Sequence, residues 1–186
     1  MNLDESTGLF LKAIHFSADR HRDQRRKDVQ QSPYINHPIE VAEKLWEVGG
    51  VRESVPLIAA ILHDTLEDTE TTPDEISTLF GEKILSVVLE VTDDKSLPSP
   101  VRKQMQIEHA PHISPAAKLV KLADKICNLD DLLHSPPRMW TLGRKREYLL
   151  WTEQVVAGLR GTNPVLENHY DELLALGKRI LKIIKN

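Results

Sequence analysis

The 186-residue chain holds a single cysteine, Cys127. One thiol cannot build an internal disulfide framework, and it excludes any zinc site made of several cysteines. No apolar run approaches the roughly 20 residues that a membrane-spanning helix requires, so a membrane partner is not expected. The start, Met1-Asn2-Leu3-Asp4-Glu5, is acidic and carries neither the basic residues nor the apolar stretch of a secretory signal. Together these absences favour the reducing cytoplasm. A basic excess is missing too: 24 Lys and Arg stand against 28 Asp and Glu, a formal net charge of −4. That balance argues against a general nucleic-acid binder, and an anionic ligand must be met by a local basic cluster. Internal repeats, low-complexity tracts and long linkers are lacking, as is strand-like alternation bounded by hairpin turns. The remainder is ordinary for a globular protein: 40% hydrophobic residues, and a length that suits one domain over residues 1–186.

What the chain does have is helix starts. Thr72-Pro73, Ser99-Pro100, Ser114-Pro115 and Asn163-Pro164 each set a capping residue before a proline fitted to the first helical turn. Thr72 and Glu75 also have capping-box spacing. Helical apolar patterns lie between these signals. They run through Leu9, Ala13, Phe16 and Ala18; Val41, Ala42 and Leu45; and Ile84, Val87, Val88 and Val91. Later come Ala116, Leu119, Val120, Leu122, Ala123 and Ile126, then Leu173, Leu176, Ile180 and Ile184. The expected architecture is an all-α, single-domain bundle of about eight to ten helices with short connections. Residues Asp23 to Tyr34 form the conspicuous irregular loop, with Arg25-Arg26-Lys27 packed together inside it.

The most informative stretch is Ala59-Ala60-Ile61-Leu62-His63-Asp64-Thr65-Leu66-Glu67-Asp68, an apolar run that delivers one imidazole and three carboxylates. Read as one helix, it sets His63 with Glu67 and Asp64 with Asp68 at i and i+4, each pair on a shared face. Three anionic groups beside an apolar segment repel one another unless a cation sits among them. Two further segments supply partners. His37, before Pro38, stands at a helix start, and Asp124 and Asn128 are at i and i+4 on a mostly apolar helix. Each of these has a plainer reading alone: a capping histidine, or an aspartate paired with Lys121 or Lys125. Taken jointly, His37, His63, Asp64 and Asp124 give two imidazoles and two carboxylates. Mixed nitrogen and oxygen ligation suits manganese, iron or zinc, with positions left for water and substrate oxygens. His15, His21, His109, His112, His134 and His169 sit in no comparable acidic context and read as structural or surface residues.

The ordered set of His37, His63-Asp64 and Asp124 resembles the HD superfamily of metal-dependent phosphohydrolases. The likeness extends further. Arg26-Lys27, Tyr34-Ile35-Asn36-His37-Pro38, His63-Asp64-Thr65-Leu66-Glu67-Asp68, Val91-Thr92-Asp93-Asp94-Lys95 and Lys121-Leu122-Ala123-Asp124-Lys125 look like the RelA/SpoT-type hydrolase domain. Glu147-Tyr148-Leu149-Leu150-Trp151 and Val155-Val156-Ala157-Gly158-Leu159 resemble the metazoan-type small alarmone hydrolases. The resemblance spans about Leu9 to Leu166. It departs at two places: Asp130 where a basic residue is common, and Gln31-Ser32 where a glycine is often seen.

The resemblance implies an all-helical, hydrolase-only protein that binds Mn²⁺ and removes the 3′-diphosphate from guanosine tetra- or pentaphosphate. In that reading His37, His63, Asp64 and Asp124 hold the metal, while Glu67 and Asp68 orient or deprotonate the attacking water. Arg26 would lie against the guanine face, since a guanidinium stacks on planar rings. Lys27, Lys121 and Arg144 would neutralise phosphates, and Asn128 and Tyr148 would hydrogen-bond ribose or phosphate. The alternative is an HD-type phosphatase acting on NADPH or another nucleotide with the same metal chemistry.

Overall fold

Side-chain capping starts four of the helices in the computed structural model, which describes residues 3–183. Met1-Asn2 of the acidic start and Ile184 of the last apolar stripe lie outside the described residues. Among the described residues ten helices follow in order: α1 (Leu3–Arg20), α2 (Asn36–Glu47), α3 (Ser54–Leu62), α4 (Thr65–Asp68), α5 (Pro73–Phe80), α6 (Glu82–Val91), α7 (Ser99–His109), α8 (Pro115–His134), α9 (Leu142–Ala157) and α10 (Pro164–Ile180). Among the described residues the β structure is one isolated bridge, Arg25 to Pro33, which pinches the α1–α2 loop. Among the described residues no helix is long and apolar enough to cross a membrane.

Thr72 caps α5 through a complete capping box with Glu75, Ser114 caps α8, and Asn163 caps α10 by accepting from the Val165 and Leu166 amides. Ser99 differs from its expected role. It is the first residue of α7, Pro98 holds the capping position, and Pro100 still falls within the first turn, where its missing N–H costs nothing.

The core is organised around α3. Every residue from Pro56 to Leu62 is buried, as befits a helix that is apolar on all sides. Helices α1, α2, α6 and α8 pack around it. Each buried Leu or Ile contributes about 1.5–3 kcal/mol relative to exposure. The consequence for function is positional: the residues that follow Leu62 emerge in the interior. Helix α8 passes alongside with Val120, Leu122, Ala123, Ile126 and Leu129 buried, so Asp124 enters the same region. On α10 the buried stripe is Leu166, Tyr170, Leu173, Leu174 and Gly177, whereas Ile180 is 52% exposed. The expected Leu173, Leu176, Ile180 stripe is therefore rotated toward solvent from the true one. Helix α7 buries no residue, yet it brings two polar side chains, Arg102 and Gln106, toward the interior.

Candidate metal centre and adjoining cleft

The segment read as one continuous helix is interrupted. Helix α3 stops at Leu62, and a single turn, α4, resumes at Thr65. The Thr65 hydroxyl donates to the Leu62 carbonyl at 2.7 Å, and Asp64 adopts φ −96°, ψ −4°, in the sparsely populated region used by tight turns. The break changes what the four polar residues face. His63 and Asp64 point together into the interior, while Glu67 and Asp68 diverge. Glu67 accepts from the Asp93 amide at 3.2 Å and from Arg102 at 3.3 Å. Asp68 accepts from Gln24 Nε2 at 2.9 Å and pairs with Lys95.

Helices α2, α3 and α8 converge on one point. His37 Nε2 lies 3.1 Å from Asp124 Oδ1 and 3.9 Å from Asp64 Oδ2. His63 Nε2 lies 3.1 Å from Asp64 Oδ2 and 3.8 Å from Asp124 Oδ1. Ligand atoms of His37, His63 and Asp64 all fall within 4.8 Å of one another. The geometry suits a divalent cation for a specific reason. His63 Nδ1 donates to the Ala60 carbonyl at 2.7 Å, which leaves Nε2 as the free ring nitrogen. That Nε2 is buried and has no hydrogen-bond partner, although two carboxylates lie close by. A lone pair aimed between buried carboxylates is a ligand geometry.

Electrostatics agree. Burial would lower the His63 pKa, but the Asp64 carboxylate overrides it and raises the pKa to about 9. Burial likewise pushes the Asp64 and Asp124 carboxyls up, and cations reverse it. His63 holds Asp64 below the usual carboxylate range, and Lys125 with His37 does the same for Asp124. The site demands positive charge, from a proton or from a metal.

Two further groups secure these candidate ligands: Tyr34, given no role in the sequence reading, and Lys125, named there as a partner in the plainer reading of Asp124. The Tyr34 hydroxyl donates to Asp64 Oδ2 at 2.6 Å, and the buried Lys125 ammonium meets Asp124 Oδ2 at 3.0 Å. Both stand inside the YINHP and KLADK segments, so position in those motifs was the available signal. Asn128 donates to Asp124 Oδ1 at 2.5 Å, which ties it to a candidate ligand carboxylate.

The four candidate ligands line a chamber of about 150 Å³, together with Glu67 and Lys121. Tyr34, His37 and Asn128 also line an adjoining cleft of about 310 Å³. Lys27, Tyr148, Trp140 and Asp68 border that cleft. Lys121 is buried, and burial brings its pKa down to about 8. Two basic residues differ from the expected picture. Arg26 borders the cleft, but its guanidinium is engaged by Glu40 at 2.7 Å and by Asp131, and so is not a free platform for a base. Arg144 lines neither cavity; it lies over the Trp140 ring, 4.6 Å from the centroid. Of the two departures, Asp130 is exposed and pairs with His134 at 3.1 Å. Gln31 takes φ +52°, the left-handed conformation that glycine adopts without strain.

The HD domain family pattern matches residues 13–153, which include every candidate ligand. This chain belongs to the HD domain family. Its kinship is with the RelA/SpoT-type branch and the metazoan-type small hydrolases. It is 55% identical over 157 residues to the human guanosine-3′,5′-bis(diphosphate) 3′-pyrophosphohydrolase MESH1, covering 84% of this chain and 88% of that one. The Xenopus tropicalis protein of the same name is 50% identical over 171 residues, covering 92% and 96%. A solved structure described as a metazoan SpoT ortholog that hydrolyses ppGpp superposes with a TM-score of 0.88 at 44% identity, covering 90% of this chain and 94% of that one. The all-helical HD fold is thus common to this chain and its structurally characterised relative.

Proposed function

We propose that this HD hydrolase removes the 3′-diphosphate from guanosine tetra- and pentaphosphate, releasing pyrophosphate and GDP or GTP, with His37, His63, Asp64 and Asp124 holding Mn²⁺. The observation that carries the chemistry is the unpartnered, buried Nε2 of His63 between two carboxylates, in a chamber that shares Tyr34, His37 and Asn128 with a larger cleft. The named activity of relatives at about half identity over nearly the whole chain supports the substrate class. When bound, a divalent ion lowers the pKa of coordinated water and polarises a phosphoryl oxygen.

The chain's own residues do the rest. Glu67 and Asp68 orient and deprotonate the attacking water. Burial, then the neighbouring Asp93 and Asp64 carboxylates, raise the Glu67 pKa to about 7, the range in which a general base works best near neutrality. Lys121 faces the chamber and Lys27 the cleft, where they neutralise phosphate oxygens. Tyr148 and Trp140, set edge to face at 61°, offer the nucleoside aromatic surface and a hydroxyl at the cleft. Arg26, through Glu40 and Asp131, fixes the loop that carries Lys27. The lone, buried Cys127 is consistent with a cytoplasmic setting.

The direct test is pyrophosphate release from ppGpp with added Mn²⁺, with a chelator, and with NADPH as a competing substrate. Mn²⁺-dependent pyrophosphate release, abolished by chelation, is the expected result. Phosphate release from NADPH with no turnover of ppGpp would overturn the substrate assignment and leave the metal centre standing.

A further inference from the structure

His21 follows the last residue of α1 and is 2% exposed. Its Nδ1 lies 2.6 Å from Gln24 Oε1, and Gln24 Nε2 lies 2.9 Å from Asp68 Oδ2. Hydrogen-bond chemistry fixes every orientation in this chain. An ionised carboxylate only accepts, so the Gln24 NH₂ must face Asp68. The Gln24 carbonyl then faces His21, and a carbonyl only accepts, so His21 Nδ1 carries the proton. Its Nε2 is left bare, and that nitrogen is buried without a partner. Burial lowers the His21 pKa, which keeps the ring neutral and in one tautomer. On the far side of Asp68, Oδ1 meets the Lys95 ammonium.

We propose that His21 and Gln24 are positioning residues, a two-link hydrogen-bonded relay that locks Asp68 in the orientation needed to act on the attacking water. The inference deepens the proposed function and rests on the role assigned there to Asp68. It also gives a purpose to a buried histidine that its sequence context marks as merely structural. The competing account is packing: the His21 ring lies 4.9 Å from that of Tyr34, which donates to Asp64, so a cavity at His21 would disturb the metal centre instead.

Two substitutions separate these accounts. His21→Asn keeps a donor near the Nδ1 position but loses volume, whereas His21→Leu keeps volume and loses the donor. In Mn²⁺-loaded protein turning over ppGpp, the relay requires His21→Leu and Gln24→Leu to lower kcat roughly tenfold to a hundredfold with KM little changed, the size expected when a catalytic group is misplaced by an ångström. Bound metal should stay at the parent level, and His21→Asn should recover most of the rate. Placed in an Asp68→Asn protein, His21→Leu should cost nothing more, because groups acting as one unit are not additive. Gln24 is half-buried, so Gln24→Leu reads the same contact even if His21→Leu fails to fold.

Full kcat in His21→Leu with loss in His21→Asn overturns the relay in favour of packing. So do losses in His21→Leu and Asp68→Asn that multiply. Full kcat in Asp68→Asn removes the role of Asp68 and the relay with it. Imidazole nitrogen NMR supplies a readout that needs no turnover. The neutral Nδ1–H form is expected in the parent protein near neutral pH, and an Nε2–H form or an imidazolium there would overturn the relay whatever the substrate.

Discussion

Replacing Asp124 by alanine strikes both the metal and the fold, and the two effects can be separated. Asp124 joins three cationic or donor groups: Lys125 at 3.0 Å, Asn128 at 2.5 Å and His37 at 3.1 Å. The side chains of Asp124 and Lys125 are 14% and 6% exposed, so the pair is an interior one. Truncating one member of such a pair strands the other charge away from water, at a cost of about 3–5 kcal/mol. The Trp151 ring, 4.8 Å from Lys125 Nζ, recovers only part of this, about 0.5–2 kcal/mol for a cation over an aromatic face. The net cost is about 1–4.5 kcal/mol, and for a chain of this size each kcal/mol shifts the melting temperature by roughly 2–4 °C, so Asp124→Ala should melt about 2–18 °C below the parent. Calorimetry in a chelating buffer isolates that loss from metal binding. Adding Lys125→Met removes the stranded ammonium and sets a pliable side chain against Trp151, so the double variant should regain most of the lost stability. Metal analysis completes the test: Asp124→Ala should lose the ion, and Lys125→Met should keep it. Equal melting temperatures for Asp124→Ala and parent, or a further fall on adding Lys125→Met, would refute the buried-pair reasoning. Full metal content in Asp124→Ala would refute its place among the ligands.

Glu67→Gln should leave metal content intact while lowering kcat by about 10²–10⁴, the usual contribution of a general base, as measured by pyrophosphate release. The same variant reports on pH. The folded protein raises the Glu67 pKa from 4.5 to about 7, so its protonation stabilises the fold below about pH 4.5, and that contribution is lost as pH rises through about 7. In chelating buffer the stability of Glu67→Gln relative to parent should therefore climb across that window and level off above it; a flat difference would exclude the shift. Gln31→Gly should stabilise the α1–α2 loop by up to about 1–2 kcal/mol, because the left-handed conformation at φ +52° costs an L-residue about that much, and chemical denaturation reads the gain. Thr72→Ala breaks the α5 capping box and should cost about 1 kcal/mol in the same denaturation assay, with kcat and KM unchanged.

Features set by neighbours in sequence could be read from the sequence. Thr72, Ser114 and Asn163 cap helices because their side chains need only reach an amide two or three residues on. The α10 stripe was not legible, because a glycine organises it. A Cβ on Gly177 would come within 2.3 Å of Leu149 Cδ1, so α10 meets α9 through its smallest residue, which a hydrophobic pattern does not mark. The break between His63 and Thr65 was invisible for a related reason. Neither glycine nor proline announces it; a threonine hydroxyl bonded back to Leu62 does the work. The pairing of Arg26 with Asp131 spans 105 residues, and no local pattern carries such a contact.

The same break explains why one short segment presents two differently held pairs of polar residues. An uninterrupted helix would have stacked Asp64 under Asp68 and His63 under Glu67, crowding the carboxylates on shared faces. With α3 ended at Leu62, the inner pair is held by Tyr34 and the Ala60 carbonyl. The outer pair is handed to other elements. The Asp93 amide and Arg102 take Glu67, while Gln24 and Lys95 take Asp68. The segment from Asp93 to Lys95 thus grips both acids, and it does so from the loop before α7, the helix that buries no residue of its own. The proposed metal ligands sit on or beside deeply packed helices, where position is fixed by the core. The acids are aimed by polar contacts from outside the core, two donors to each. Substitutions at the inner set should therefore register first in stability and metal content, and those at the outer contacts in kcat.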